Sequence, residues 1–250
     1  MDGLFDLSGK KALVIGAGGI GGAIARGIAG AGADLVMADI SPENLAAAER
    51  EIPGSRGVTV DINRRENIRE LFQTVLEISG TLDILVNAAG IGRMAPAIDI
   101  TEEDWNAVVN HFLSGVFWSS QEAARIMLPQ KKGKILNIAS MSGVVVTGGS
   151  GSAYAAAKAG LIQLTKALAT EWIGDGVYVN ALSPGMVRTA LTAGMFDNNE
   201  EAVRKTSANI PLGRIARPED MIGPALFLLS KASDYVVGQN LLVDGGYTAW

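Results

Sequence analysis

Lys11-Ala-Leu-Val-Ile15-Gly16-Ala-Gly18-Gly19-Ile20-Gly21-Gly22 is the stretch on which the fold turns. Its first five residues read as a buried strand, and the apolar run stops on glycine. Residues 20–31 then read as a helix with small side chains where it must pack closely. A helix starting there offers unpaired backbone N–H groups and the positive end of its dipole. The spacing Gly16-x-Gly18-x-x-Gly21 fits a dinucleotide-binding fingerprint, in which absent side chains let the backbone approach a pyrophosphate. A tight glycine turn holding no ligand has the same pattern.

The strand–helix rhythm continues outward. Residues 35–39, 58–61, 82–87, 134–138, 177–181 and 240–243 read as strands. Helices are expected from Pro42 and over 66–78, 102–127, 152–172 and 218–229, proline suiting a first helical turn. Strands that are apolar throughout and alternate with helices indicate a parallel sheet covered on both faces. We therefore expect an α/β chain with a single doubly wound parallel sheet of the Rossmann type, one domain over residues 1–250. Residues 189–211 break the rhythm.

Composition narrows the chemistry. The chain of 250 residues is 48% hydrophobic and 19% charged, which suits one well-filled core. There is no cysteine, which removes disulfides, thiolate metal sites and cysteine nucleophiles. A single histidine, His111, leaves little for a histidine metal site, so no metal is expected. A serine hydrolase would have to use that same histidine, and no G-x-S-x-G turn exists to present its serine. The net charge of −5, without a basic block, speaks against nucleic acid. No apolar run matches a membrane span, and the first residues lack a basic flank and apolar signal segment, so a cytoplasmic location is expected.

Two further features concern a redox reaction. Asp39 ends the second strand, 23 positions after Gly16. A carboxylate there can accept hydrogen bonds from an adenosine ribose and would repel a 2′-phosphate, which favours NAD over NADP. The alternative is an aspartate that only caps the helix opening at Pro42. Downstream, Ser140 is followed by Tyr154-Ala-Ala-Ala-Lys158. Residues four apart share one helical face, and an ammonium beside a phenol lowers its pKa from the usual value near ~10. Such a tyrosine passes a proton to or from an alcohol or carbonyl oxygen, and a nearby serine hydroxyl can hold that oxygen. By itself the spacing also describes an amphipathic helix with a half-buried tyrosine and a solvated lysine.

Taken together, these residues resemble the short-chain dehydrogenase/reductase family along nearly the whole chain. Asn87-Ala-Ala-Gly90 resembles the family segment after the fourth strand, and Asp61-Ile62 the pair that contacts adenine. Asn137-Ile-Ala-Ser140 resembles the strand carrying the catalytic serine, and Ser183-Pro-Gly-Met-Val-Arg-Thr189 the loop at the nicotinamide end. Val243-Asp-Gly-Gly246 resembles the C-terminal signature. The resemblance implies Tyr154 as general acid/base, Lys158 as its electrostatic partner and ribose ligand, and Ser140 as the group orienting the substrate oxygen. It implies cofactor contacts from Gly16, Gly19, Ile20, Gly21, Asp39, Asp61, Ile62, Asn87, Gly90, Tyr154, Lys158, Pro184, Gly185, Val187 and Thr189. It also implies a substrate lid over about 189–211 and a homotetramer built through the helices at 102–127 and 152–172.

Three departures stand out. The family's glycine turn carries a threonine where Ile15 stands, and this turn is one residue shorter when Gly19-Ile-Gly21 is matched to the family's last glycine pair. Phe112 occupies the site of an asparagine that holds a water in the family's proton relay, with His111 adjacent. One surplus residue lies in 144–152, between Ser140 and Tyr154; Ser142 is the rival serine, and Gly143 favours Ser140. Arg93, just past Gly90, is a candidate partner for a substrate carboxylate or hydroxyl. The opening Leu4-Phe-Asp-Leu-Ser-Gly-Lys10 resembles members acting on sugar acids and polyols, such as gluconate dehydrogenases, so a polyol, sugar acid or hydroxy acid is the first expectation. A 3-oxoacyl thioester or an alicyclic or aromatic alcohol comes next. A non-catalytic NAD-binding protein is the competing class; a methyltransferase would leave the Tyr-Lys pair without a role.

Overall fold

The computed structural model describes residues 3–146 and 151–249. Seven strands form one sheet: β1 (Lys11–Ile15), β2 (Asp34–Asp39), β3 (Arg56–Thr59), β4 (Ile84–Asn87), β5 (Gly133–Ile138), β6 (Val177–Pro184) and β7 (Asn240–Val243). Their order is β3-β2-β1-β4-β5-β6-β7, and every neighbouring pair is parallel. The helices are α1 (Gly19–Gly30), α2 (Pro42–Glu51), α3 (Arg65–Ser79), α4 (Glu102–Val109), α5 (Gly115–Met127), α6 (Ser152–Trp172), α7 (Ala193–Phe196), α8 (Glu200–Ala208) and α9 (Ile222–Leu229).

Side chains alternate across a strand, so each strand feeds two cores. Ala12 and Val14 of β1 join Leu35, Met37, Ile84 and Val86 on one face, where Ile24 and Ile28 of α1 and Ala225 and Leu228 of α9 cover them. Leu13 and Ile15 point the other way, into a core with Ile68, Leu71 and Phe72 of α3, Ala123 and Met127 of α5, and Leu168 and Trp172 of α6. Burial of such aliphatic side chains contributes about 1.5–3 kcal/mol each, which is why these apolar runs become central strands rather than surface segments. The expected doubly wound sheet is therefore present.

Strand order reverses between β1 and β4, and the carboxyl ends of the strands open there into a crevice. The chain turns out of β1 through Gly16, whose φ is +102°. A Cβ at that position would sit 2.6 Å from the Ala89 nitrogen, so only glycine allows the segments leaving β1 and β4 to touch.

Four local expectations shift. The third strand is Arg56–Thr59, not 58–61, because register with Val36 to Asp39 of β2 fixes it, while Asp61 accepts hydrogen bonds from Asn63 in the following turn. The helix expected over 102–127 contains a π-helical turn, Asn110–Ser114, between α4 and α5. Pro218–Met221 is a 3-10 turn leading into α9. Residues 189–211, read from the sequence only as a break in the rhythm, gain definition as a 3-10 turn at Ala190–Thr192 followed by α7 and α8.

Candidate active site

The serine, tyrosine and lysine are brought together by packing of one turn on one helix. Ser140 follows β5 and caps the 3-10 turn Met141–Gly143, its Oγ accepting from the Ser142 N–H at 3.1 Å. A Cβ on Gly143 would lie 2.8 Å from the Lys158 carbonyl carbon and 2.9 Å from the Ala159 nitrogen. The bare glycine thus lets the serine turn rest directly on α6. The Ser140 hydroxyl acts on the Tyr154 phenol, working to lower its pKa, whereas Ser142 contributes its backbone N–H to Ser140. The glycine-rich residues 147–150, within the segment holding the surplus residue, lie outside the described residues.

Lys158 is 4% exposed, and its Nζ donates to the Ile138 carbonyl at 2.6 Å. Burial alone lowers its pKa from 10.5 to about 7. Tyr154 is only partly exposed, and burial, the larger influence, raises the pKa of its phenol, while the hydrogen bond with Ser140 works to lower it. The expectation that the ammonium makes Tyr154 more acidic is therefore corrected for this chain by itself. Desolvation acts on both groups in the direction of their neutral forms.

The nucleotide crevice is assembled beside this group. Helix α1 begins at Gly18 without a side-chain cap and with no acidic residue in its first turn. Gly19 has φ +49°, and a Cβ there would touch Thr189, so the glycine turn and the loop after β6 meet. That loop is braced: Thr192 Oγ1 donates to the Val187 carbonyl at 2.8 Å and accepts from the Thr189 N–H at 2.9 Å. Gly185 packs against Asp244 of the C-terminal segment, whose carboxylate accepts from Gly246 and Thr248. Pro184 ends β6, and Val187 is buried.

Asp39 is divided between two tasks. Its Oδ2 accepts from the Ala17 N–H at 2.7 Å, tying β2 to the glycine turn. Its Oδ1 accepts from the Ser41 N–H at 2.8 Å, ahead of the Ser41 cap of α2. A pocket between this turn and α2 is lined by Ala17, Gly18, Gly19, Arg26, Asn44 and Glu51. Arg26 is paired there with Glu51 at 2.7 Å and Glu219 at 3.0 Å. An uncapped helix N-terminus, a glycine turn that a Cβ would fill and a carboxylate at the end of β2 fit a bound dinucleotide.

Other expected contacts take less direct positions. The Asn87 side chain is buried and donates to Asn137 at 2.9 Å and Ser120 at 3.3 Å, while Asn137 donates to Thr165 at 3.0 Å. Asn87 thus locks β4, β5, α5 and α6 together at the foot of the crevice. Ile62 is buried, and Gly90 lies under Leu191 of the 189–211 segment. Arg93 pairs with Asp104 at 2.7 Å, which accounts for its charge without a substrate. Sequence reasoning missed the Asn87–Asn137–Thr165 network, although two asparagines inside otherwise apolar strands signalled it. The Ile138 carbonyl that holds Lys158 carries no side-chain signal. Among the described residues, no cluster of three or more His, Asp or Glu side chains is placed to hold a metal ion, and no helix is long and apolar enough to cross a membrane.

A tyrosine–lysine pair beside a serine, set on the edge of a dinucleotide crevice in a parallel sheet, defines a dehydrogenase or reductase of alcohols and carbonyls. The chain belongs to the short-chain dehydrogenase/reductase family. A family profile described as enoyl-(acyl carrier protein) reductase matches residues 15–248. The chain is 40% identical over 254 residues to a 2-dehydro-3-deoxy-D-gluconate 5-dehydrogenase of Bacillus subtilis, covering 97% of this chain and 96% of that protein. It is 39% identical over 246 residues to the 3-oxoacyl-(acyl-carrier-protein) reductase FabG of Thermotoga maritima, covering 96% and 98%. A solved gluconate 5-dehydrogenase from Burkholderia cenocepacia, in complex with NADP and tartrate, superposes with a TM-score of 0.92 at 35% identity, covering 99% and 98%. The chain is accordingly an oxidoreductase acting on CH–OH groups.

Proposed function

We propose that the chain interconverts a small polyol, sugar acid or hydroxy acid and its ketone, using NAD. The observation that carries the chemistry is the meeting of Ser140, Tyr154 and Lys158 beside the glycine turn of β1. When bound, the dinucleotide supplies or accepts the hydride. Tyr154 donates its proton to the carbonyl oxygen in reduction and takes it back from the alcohol in oxidation. Burial, which raises its pKa, suits the proton-donating direction, and oxidation needs the phenolate instead. Ser140 holds the same oxygen by hydrogen bonding, and Lys158, when charged, favours the phenolate and donates to the ribose beside it. Gly16, Gly19, Ile20 and Gly21 line the pyrophosphate position, and Asp61, Ile62, Asn87, Gly90, Pro184, Gly185, Val187 and Thr189 border the rest of the crevice. Residues 189–211 close over substrate, with Leu191 against Gly90 as the contact point.

The preference for NAD rests on Asp39 and on the pairing of Arg26. Asp39 retains acceptor capacity for a ribose hydroxyl, and the cation nearest the adjoining pocket is held by two carboxylates. NADP in the Burkholderia relative sets the competing reading. The substrate class rests on the sugar-acid and polyol dehydrogenases among the relatives, including galactitol 2-dehydrogenase and D-threitol dehydrogenase. A cytoplasmic location and a homotetramer complete the proposal. Following NADH absorbance over a panel of polyols, aldonic acids and 3-oxoacyl thioesters, each with NAD and NADP, tests it. Turnover of a polyol or sugar acid with higher kcat/KM for NAD is expected. A clear NADP preference defeats the Asp39 assignment, and activity confined to 3-oxoacyl thioesters defeats the substrate class.

A further inference from the structure

We propose that Phe112 is a positioning residue for the reacting pair: the face of its ring holds the Lys158 ammonium while its perpendicular contact fixes the Tyr154 ring. The Lys158 Nζ lies 4.4 Å from the Phe112 centroid, against 5.7 Å from that of Tyr154. The Phe112 and Tyr154 rings pack at 5.1 Å and 85°. Phe112 is 4% exposed, so water does not screen either contact. An ammonium has three donors, and the Ile138 carbonyl takes one at 2.6 Å. Among the described residues, no carboxylate offsets the buried charge, and of the two aromatic rings in reach that of Phe112 lies nearer than that of Tyr154.

The π-helical turn is what delivers this ring. Phe112 sits in the middle of that turn, between α4 and α5, and packs with Ala153 and Ala157 of α6. His111, one residue earlier, packs edge-on to Phe112 at 5.0 Å and 81°. The groups facing Lys158 are therefore Tyr154 on its own helix, Ser140 from the turn after β5 acting through Tyr154, and His111 and Phe112 from the π turn. Asp61 bears on His111 with a favourable field. His111 is buried, with the Ala89 backbone beside it but outside good hydrogen-bond geometry, and burial, ahead of the charge of Lys158, holds it neutral with a pKa of about 4. At neutral pH it adds no second cation to the site, which leaves the ring face of Phe112 as the nearest aromatic group to the charge on Lys158.

The proposal rests on Tyr154 and Lys158 being the reacting pair, but its test reads Lys158 directly. In protein labelled with 13C-lysine, the Lys158 resonance is identified by its absence in Lys158→Met and titrated by NMR. Phe112→Leu keeps an apolar side chain and removes the aromatic face. It should lower the Lys158 midpoint by about one pH unit and shift the matching limb of the kcat–pH profile the same way. Phe112→Trp should hold or raise the midpoint. Site-specific fluorinated phenylalanines at 112, close in shape to the native ring, should lower it progressively with each fluorine and cover the case in which the leucine variant does not fold. A midpoint within about 0.3 unit of wild type across the fluorinated series and the leucine variant would overturn the proposal. Normal turnover by Tyr154→Phe would instead overturn the catalytic assignment, without altering the Lys158 titration.

Discussion

Lys158 shows how far a single residue can be read in advance. Its place four positions after Tyr154 was legible, because helical spacing puts both on one face. Its burial was not, since depth depends on Gly143 admitting the serine turn and on the π turn bringing Phe112 across. The consequence is an ammonium with a folded midpoint of about 7 against 10.5 for the free group. Between those values the unfolded chain binds the extra proton, so this residue makes stability rise with pH across that window; below about 7 its cost is fully present. Lys158→Met should therefore raise stability near neutral pH by on the order of 2 kcal/mol, after losing the hydrogen bond to Ile138, and flatten the rise between about pH 7 and 10.5. Thermal unfolding of both proteins across that range checks this, and a less stable variant at neutral pH would contradict it. Tyr154 carries the same lesson with the opposite charge: spacing suggested a more acidic phenol, while enclosure makes it less acidic.

At the scale of elements, the strands were legible because each central one is apolar on both faces. β1 and β7 fall within the residues expected for them, while β3, at the end of the strand order beside β2, slid by two residues. The π turn at Asn110–Ser114 left no mark in the apolar periodicity, because one added residue in a turn is smaller than the scatter of the pattern. α7 and α8 were hidden for other reasons: α7 is a single turn of four residues, and α8 buries no residue. The contact between the Met141–Gly143 turn and α6 yields its own prediction. Gly143→Ala places a methyl group against the backbone of Lys158 and Ala159, which cannot step aside as a side chain can. It should cost about 1–3 kcal/mol of stability and lower kcat more than it raises KM, by moving Ser140 away from Tyr154. Unchanged kcat with intact stability would show that the serine does not depend on this contact.

For the molecule as a whole, the sheet order sets a row of proposed site residues at the carboxyl ends of the strands, onto which α6 brings Tyr154 and Lys158. Gly16, Asp39 and Asn87 come from β1, β2 and β4, while Ser140 and Pro184 close the row from β5 and β6. The fingerprint and the strand rhythm made this arrangement legible; the buried bracing by Asn87, Asn137 and Thr165 was not, since it is a product of register between distant strands. A homotetramer is expected in solution, and light scattering coupled to size exclusion that shows only monomer would contradict it. The central claim is that one phenolic proton serves the reaction while the nucleotide crevice is built independently of it. Tyr154→Phe, which leaves the crevice intact, measures it most directly. Cofactor binding should weaken by less than about tenfold, since Tyr154 is one of many proposed contacts, while kcat falls by about 10²-fold or more; turnover within about tenfold of wild type would contradict the account.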